Sequence, residues 1–207
     1  MTLAAVLTGD LIGSTGVEVA RVEHTMAVLA NASELVAHAA PTRFTRYRGD
    51  GWQIYLADPR DFIWVAMYLR AALTADPHCL ATRIAIGIGT VDSLGETGLA
   101  GASGAAFTAS GRALDSMTTG QELALAGTTV DDIQRSLLAF VADRMAGWSR
   151  EQAEVVQLMW DHGGHQDIAN KLGISRQAVG ARLHAAGYRL IETAGRAFYA
   201  HYDQQEP

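Results

Sequence analysis

The sequence predicts an α+β chain in which a small sheet domain with βαββαβ order precedes a compact all-α unit. Three observations predict it. Short runs of β-formers alternate with long helical patterns as far as Gly127, only helical spacing follows, and 49% hydrophobic content in 207 residues is enough to fill two small cores.

Leu3 to Leu7 is an apolar run that reads as a buried strand, with a turn expected at Thr8-Gly9-Asp10. A helical pattern runs from about Val17 to Ala39, and Pro41 stops it. Arg43 to Tyr47 and Trp52 to Leu56 are rich in β-formers and flank Arg48-Gly49-Asp50-Gly51, which marks a hairpin. Pro59 opens a helix that continues through Phe62, Val65, Ala66, Leu69 and Leu73, and Arg83 to Gly89 is the next strand. Strand, helix, strand, strand, helix, strand is the ferredoxin-like or split βαβ order. A helix from about Ala105 to Met117 and a strand from Glu122 to Ala126 complete the domain. Beyond it, Val130, Ile133, Leu137, Leu138, Val141 and Met145 form an amphipathic linker helix, with Gly147 as a hinge. The expected domains are 1–127, a linker over 128–147, and 148–207.

His165 to His184 carries the spacing of a helix-turn-helix. Ala169 is the small residue where two helices cross, Gly173 permits a positive φ at the turn, and Val179 is the apolar plug, with Ile168, Leu172, Ile174 and Leu183 as the buried face. Ser175 caps the second helix. Arg176, Gln177, Gly180, Ala181, Arg182 and His184 then lie on or near its DNA-facing side. A preceding helix opens at Ser149 and completes a three-helix unit. The whole chain has a formal charge of −6, yet Gly163 to Arg196 holds Lys171, Arg176, Arg182, Arg189 and Arg196 against Asp167 and Glu192, a local charge of plus three. Local charge is what phosphates meet. So small a footprint points to double-stranded DNA bound by a homodimer with two recognition helices. A plain helical hairpin with a glycine cap is the structural alternative.

In the sheet domain, the first strand and the hairpin are expected to be neighbours, which brings Asp10 and Asp50 together. Two such carboxylates repel unless a cation, a proton or a lysine intervenes. Mg²⁺ or Mn²⁺ is the expected metal, and the backbone amides of Ile12, Gly13, Ser14 and Thr15 ahead of the next helix are a candidate phosphate cradle. A turn aspartate and a cap aspartate are the structural alternatives. Cys79 is the one cysteine, which excludes an internal disulfide and fits a cytoplasmic protein with a structural thiol. The seven histidines have no metal-ligand spacing. No stretch reaches the roughly 18 uninterrupted apolar residues of a membrane span, and no basic region precedes the first apolar run, so a soluble chain is expected.

Two resemblances sharpen these expectations. Ser149 to Arg189 resembles region 4 of sigma factors, the part that binds DNA. Thr8-Gly-Asp-Leu-Ile-Gly-Ser-Thr15 with Gly49-Asp50-Gly51 resembles the catalytic domain of class III nucleotide cyclases. That resemblance implies metal binding by Asp10 and Asp50, a nucleotide ligand, and an active site shared between two protomers. It places Arg46 at the position of a base-contacting lysine, and Thr108 and Arg112 at the spacing of the asparagine and arginine that stabilise the transition state. Thr108 departs from the asparagine, and Gly101 from a base-specifying aspartate. Over most of its length the chain is similar to the SatD family, through these motifs together with Arg83-Ile-Ala-Ile-Gly-Ile-Gly, Gly95-Glu, Ser103 to Asp115 and Gly147-Trp-Ser. Three functions are compatible with the residues: a DNA-binding transcriptional regulator that senses a nucleotide through its cyclase-like domain, an active nucleotide cyclase, and a ligand-free dimerisation scaffold.

Overall fold

The computed structural model describes residues 3–37, 42–47, 49–96 and 98–204. Five strands, β1 (Ala4–Leu11), β2 (Thr42–Tyr47), β3 (Gly51–Leu56), β4 (Thr82–Gly89) and β5 (Leu123–Gly127), form one sheet in the order β2-β3-β1-β4-β5. All pairings are antiparallel except β4 with β5. The first four strands, with helices α1 (Val19–Ala37) and α2 (Phe62–Ala75) between them, realise the βαββαβ order. The end expected for α1 at Ala39, Pro41, and Arg48 of the hairpin lie outside the described residues.

Alternation along β1 sorts the two faces. Ala5, Leu7 and Leu11 join the main core with Leu29 and Val36 of α1, Phe62 and Leu69 of α2, and Ile54 and Ile86 of the neighbouring strands. On the opposite face Thr8 meets Ser110 of α3 (Ala105–Ser116), their hydroxyls 2.8 Å apart. Helix α3 lies so close to the sheet that a Cβ on Gly87 would stand 2.2 Å from the Ala106 carbonyl oxygen.

The turn expected at Thr8-Gly9-Asp10 is absent: β1 continues to Leu11, because β3 and β4 pair with it on both sides and satisfy its backbone groups. Gly9 is there for room. A Cβ at Gly9 would stand 2.4 Å from the Trp52 ring. Helix α1 begins at Val19, two residues later than its apolar spacing suggests.

After β5, α4 (Asp132–Ala146) starts in a capping box in which Asp131 accepts from Gln134 N while the Gln134 side chain accepts from Asp131 N. Four helices follow: α5 (Arg150–His162), α6 (His165–Leu172), α7 (Arg176–Ala185) and α8 (Tyr188–Asp203). Their apolar residues belong to the same core cluster as the sheet. Phe198 of α8 stands edge-on to Phe62 of α2 with ring centroids 4.9 Å apart, Gln134 Nε2 donates to the Tyr202 hydroxyl at 3.0 Å, and Arg150 Nε donates to the Ala75 carbonyl at 3.0 Å. A hinge at Gly147 is at odds with this packing. The next residue, Trp148, is buried and donates from Nε1 to the Ala186 carbonyl at 2.8 Å. Among the described residues, no helix is long and apolar enough to cross a membrane.

Candidate functional site

Asp10 and Asp50 do come together at one end of the sheet. Asp10 is paired with Gly51 in the β1–β3 register, so Asp50, in the hairpin turn, is one residue away across the ladder. The backbone at Asp10 is fixed by its neighbours: Thr82 Oγ1 donates to the Asp10 carbonyl at 2.7 Å and accepts from Trp52 Nε1 at 3.0 Å. The side chain is already engaged. Arg83, opposite it on β4, donates from Nε to Oδ1 at 2.8 Å and from a terminal nitrogen to Oδ2. This fork raises the Arg83 pKa above its ordinary value, chiefly through the hydrogen bonds to Asp10, with the charges of Asp10, Asp115 and Asp50 adding to it. The basic group that engages Asp10 is therefore a guanidinium, reaching it from the β4 side while Asp50 lies on the β3 side. Arg83 thus occupies both Asp10 oxygens, and a divalent cation would have to displace it to bind the pair.

Asp50 accepts from the Ser14 hydroxyl, which ties the loop after β1 to the hairpin. That loop is a weaker phosphate cradle than the sequence suggests, for two reasons. Ile12 N donates to the Ala81 carbonyl at 2.8 Å and is spent, and α1 starts only at Val19, so Gly13, Ser14 and Thr15 are not its first turn. Arg46 turns to the α1 side, donating to both Glu23 carboxylate oxygens at 2.7 and 2.8 Å and to the Gly49 carbonyl at 2.6 Å. The hydrogen bonds from Arg46 hold the Glu23 carboxyl below its ordinary pKa. That ion pair is fully formed above the unfolded-state carboxylate pKa and is lost as pH falls through the lowered one.

Thr108 and Arg112 lie on α3. Thr108 Oγ1 donates to the Gly104 carbonyl at 3.2 Å, and Arg112 lines a groove with Leu123 and Ala126 of β5 and Arg135 of α4. That groove is at the β5 edge, while Asp10 lies across β4 on β1. Within one chain the two halves of the expected catalytic set are not brought together.

In the C-terminal helices the turn between α6 and α7 follows the sequence. Gly173 adopts φ +64°, Ile174 N donates to the Ala169 carbonyl at 3.1 Å, and Ser175 Oγ accepts from Ala178 N at 3.1 Å. Ile168, Ala169, Val179 and Leu183 are buried. Arg176, Gln177, Ala181 and His184 are exposed, as is Ser175, and Gly180 is half-buried. Arg182 differs from the others. It turns inward to Glu154 of α5 at 3.7 Å.

Two features escaped the sequence reading. Helix α8 has its signal in Ile191, Ala194, Phe198 and Tyr202, an i, i+3, i+7, i+11 row that is buried throughout. The other is a cluster of His24, Asp76 and Cys79, whose donor atoms lie within 4.8 Å of one another although the first and last are 55 positions apart in the chain. Spacing along the chain carries no trace of it.

No family model matches this chain, and no curated protein does. Among solved structures it is similar to the catalytic core of a rhodopsin-guanylyl cyclase with converted specificity in complex with ATPαS, with TM-score 0.43 and 13% identity over 56% of this chain and 73% of that one. It is also similar to the guanylyl cyclase Cya2, with TM-score 0.38 and 19% identity over 56% and 71% of the two chains. A bacterial light-regulated adenylyl cyclase gives TM-score 0.39 and 14% identity over 72% and 81%. The βαββαβ topology of the present chain stands on its own strand pairing.

Proposed function

We propose that the chain is a DNA-binding regulator in which α7 enters a groove of double-stranded DNA and the sheet domain pairs two copies and answers to a nucleotide. The observation that carries this reading is the outward side of α7, where Arg176, Gln177, Ala181 and His184 are exposed around Gly180. A Cβ added at Gly180 would meet nothing within 4 Å, so packing does not account for a glycine there. Close approach of another molecule to the helix backbone does. Because Arg182 is held by Glu154, the basic footprint of one copy is small, and two copies on a two-fold site supply the rest.

Changing Arg176→Ala together with Gln177→Ala is expected to weaken specific binding by roughly 10-fold or more, measured by anisotropy on operator fragments selected from a random library, with affinity in the wild type falling steeply with salt. Unchanged affinity in the double variant would sink the assignment of α7. Gly180→Ala is expected to raise stability by about 0.5–1 kcal/mol, the helix-propensity difference, while weakening DNA binding. A gain in stability with full DNA affinity would remove close approach as the reason for the glycine.

The nucleotide part rests on Asp10, Asp50 and the amides of Gly13 to Thr15, and on their motif resemblance to nucleotide cyclases. The Asp10–Arg83 fork specifically favours a second reading, a ligand-free dimerisation scaffold, since a guanidinium already pairs with Asp10. A rise in melting temperature with Mg²⁺ and a nucleoside triphosphate, lost in Asp50→Ala, supports sensing, whereas no shift with any common nucleotide supports the scaffold. In either case Arg83→Ala is expected to cost about 1 kcal/mol at neutral pH, with Asp10→Asn restoring part of the loss in a double-mutant cycle. An active cyclase is the least supported reading, because Thr108 stands in place of the transition-state asparagine and Gly101 in place of the base-specifying aspartate.

A further inference from the structure

We propose that His24, Asp76 and Cys79 form a binding site for a zinc-class transition metal that clips α1 to the turn between α2 and β4. Three different donors converge here, an imidazole nitrogen, a carboxylate oxygen and a sulfur, all within 4.8 Å of one another. That donor set is the one zinc takes, and it is foreign to Mg²⁺ and Ca²⁺, which take oxygen. Zinc bonds of about 2.0–2.3 Å imply donor separations of roughly 3.3–3.7 Å in a tetrahedron, so donors up to 4.8 Å apart need to close by at most about 1.5 Å while His24 Nε2 and Asp76 Oδ2, 2.7 Å apart, open by about 0.6 Å.

The surroundings hold the donors in place. Arg21, one turn before His24 on α1, donates to the His78 and Cys79 carbonyls at 3.1 and 3.2 Å, and Thr25 Oγ1 accepts from Leu80 N at 3.0 Å. The turn that carries Asp76 and Cys79 is thus fastened to the helix that carries His24, on both sides of the cluster. His78 N donates to Asp76 Oδ1 at 2.8 Å, leaving Oδ2 directed at His24 Nε2, 2.7 Å away. Cys79 is buried while the His24 side chain is 45% exposed, which gives the site a closed floor and an open mouth. The His78 ring, edge-on to His24 at 6.2 Å, is a further imidazole close by, and water is the other candidate for the fourth position. Burial, followed by the charge of Asp76, pushes the Cys79 thiol up to about 11, and a bound dication would offset both effects by stabilising the thiolate. Arg21 opposes the metal with one positive charge, against two negative charges from the thiolate and Asp76.

The test is a Co²⁺ titration of the untagged full chain, followed by zinc competition. One equivalent of Co²⁺ is expected, with a thiolate-to-cobalt charge-transfer band that zinc abolishes. Asp10→Ala/Asp50→Ala should keep the band, which separates this site from the carboxylate pair. Cys79→Ser should lose it, and the exposed change His24→Ala should lower affinity at least ~10-fold with the fold intact by circular dichroism. If Cys79→Ser does not fold, His24→Ala decides. No band in the wild type, or undiminished affinity in His24→Ala, overturns the proposal.

Discussion

Replacing Phe198 by alanine is expected to lower global stability by about 3–5 kcal/mol and to leave a single unfolding transition. Phe198 is 1% exposed, and its ring meets Phe62 at the start of α2, while the neighbouring Tyr202 also stands edge-on to Phe62 at 6.2 Å and accepts from Gln134. Truncation therefore opens a cavity where α8, α2 and α4 meet. The penalty would be felt by the sheet as well as by the C-terminal helices. Denaturant unfolding followed by both tryptophan fluorescence and far-ultraviolet circular dichroism checks this, because coincident curves mean one cooperative unit. Two separated transitions, with only the second unaffected by the substitution, would mean that 1–127 and 148–207 fold independently.

Gly87→Val is expected to cost about 3 kcal/mol or more, and to act through α3. An added Cβ would stand 2.2 Å from the Ala106 carbonyl oxygen and 2.5 Å from Ser110 N, both backbone atoms of the helix, so no side chain can turn aside to relieve it. Helix α3 must lift from the sheet. The Thr8–Ser110 hydrogen bond would then break and Ala113 and Leu114 would be uncovered. A melting temperature within a degree or two of wild type would show that α3 moves freely on the sheet.

The sheet domain was legible because each of its signals is local. A Pro-opened helix, a Gly-Asp-Gly turn between β-rich runs and an apolar strand each announce themselves within ten residues or so, and split βαβ order assembles them. The α6–α7 turn was legible for the same reason, since Gly173 and Ser175 act on backbone groups only a few residues away. What escaped depends on side chains distant in sequence. Arg83 reads as the first residue of a strand, and only the β1–β4 register puts it opposite Asp10. Arg182 sits among the outward positions of α7 by helical phase, yet Glu154 lies near enough to draw it inward. Likewise, Gly147 reads as a hinge until Trp148 is found anchored to Ala186.

The hydrogen bond from Arg150 to the Ala75 carbonyl joins the first residue of α5 to the last turn of α2, and it has a consequence for the regulator proposed above. Helices on a slack tether would find two half-sites by search, whatever the spacing of the sheets. Helices fastened to α2, whose apolar residues share the core of the sheet, would act as the arms of a caliper. In a pair of such chains, the gap between the two α7 helices would be set by the angle at which the sheets meet, and half-sites on one face of DNA recur every ~34–36 Å. A rotation of a few degrees at that junction, magnified along the arms, is then enough to take the pair out of register.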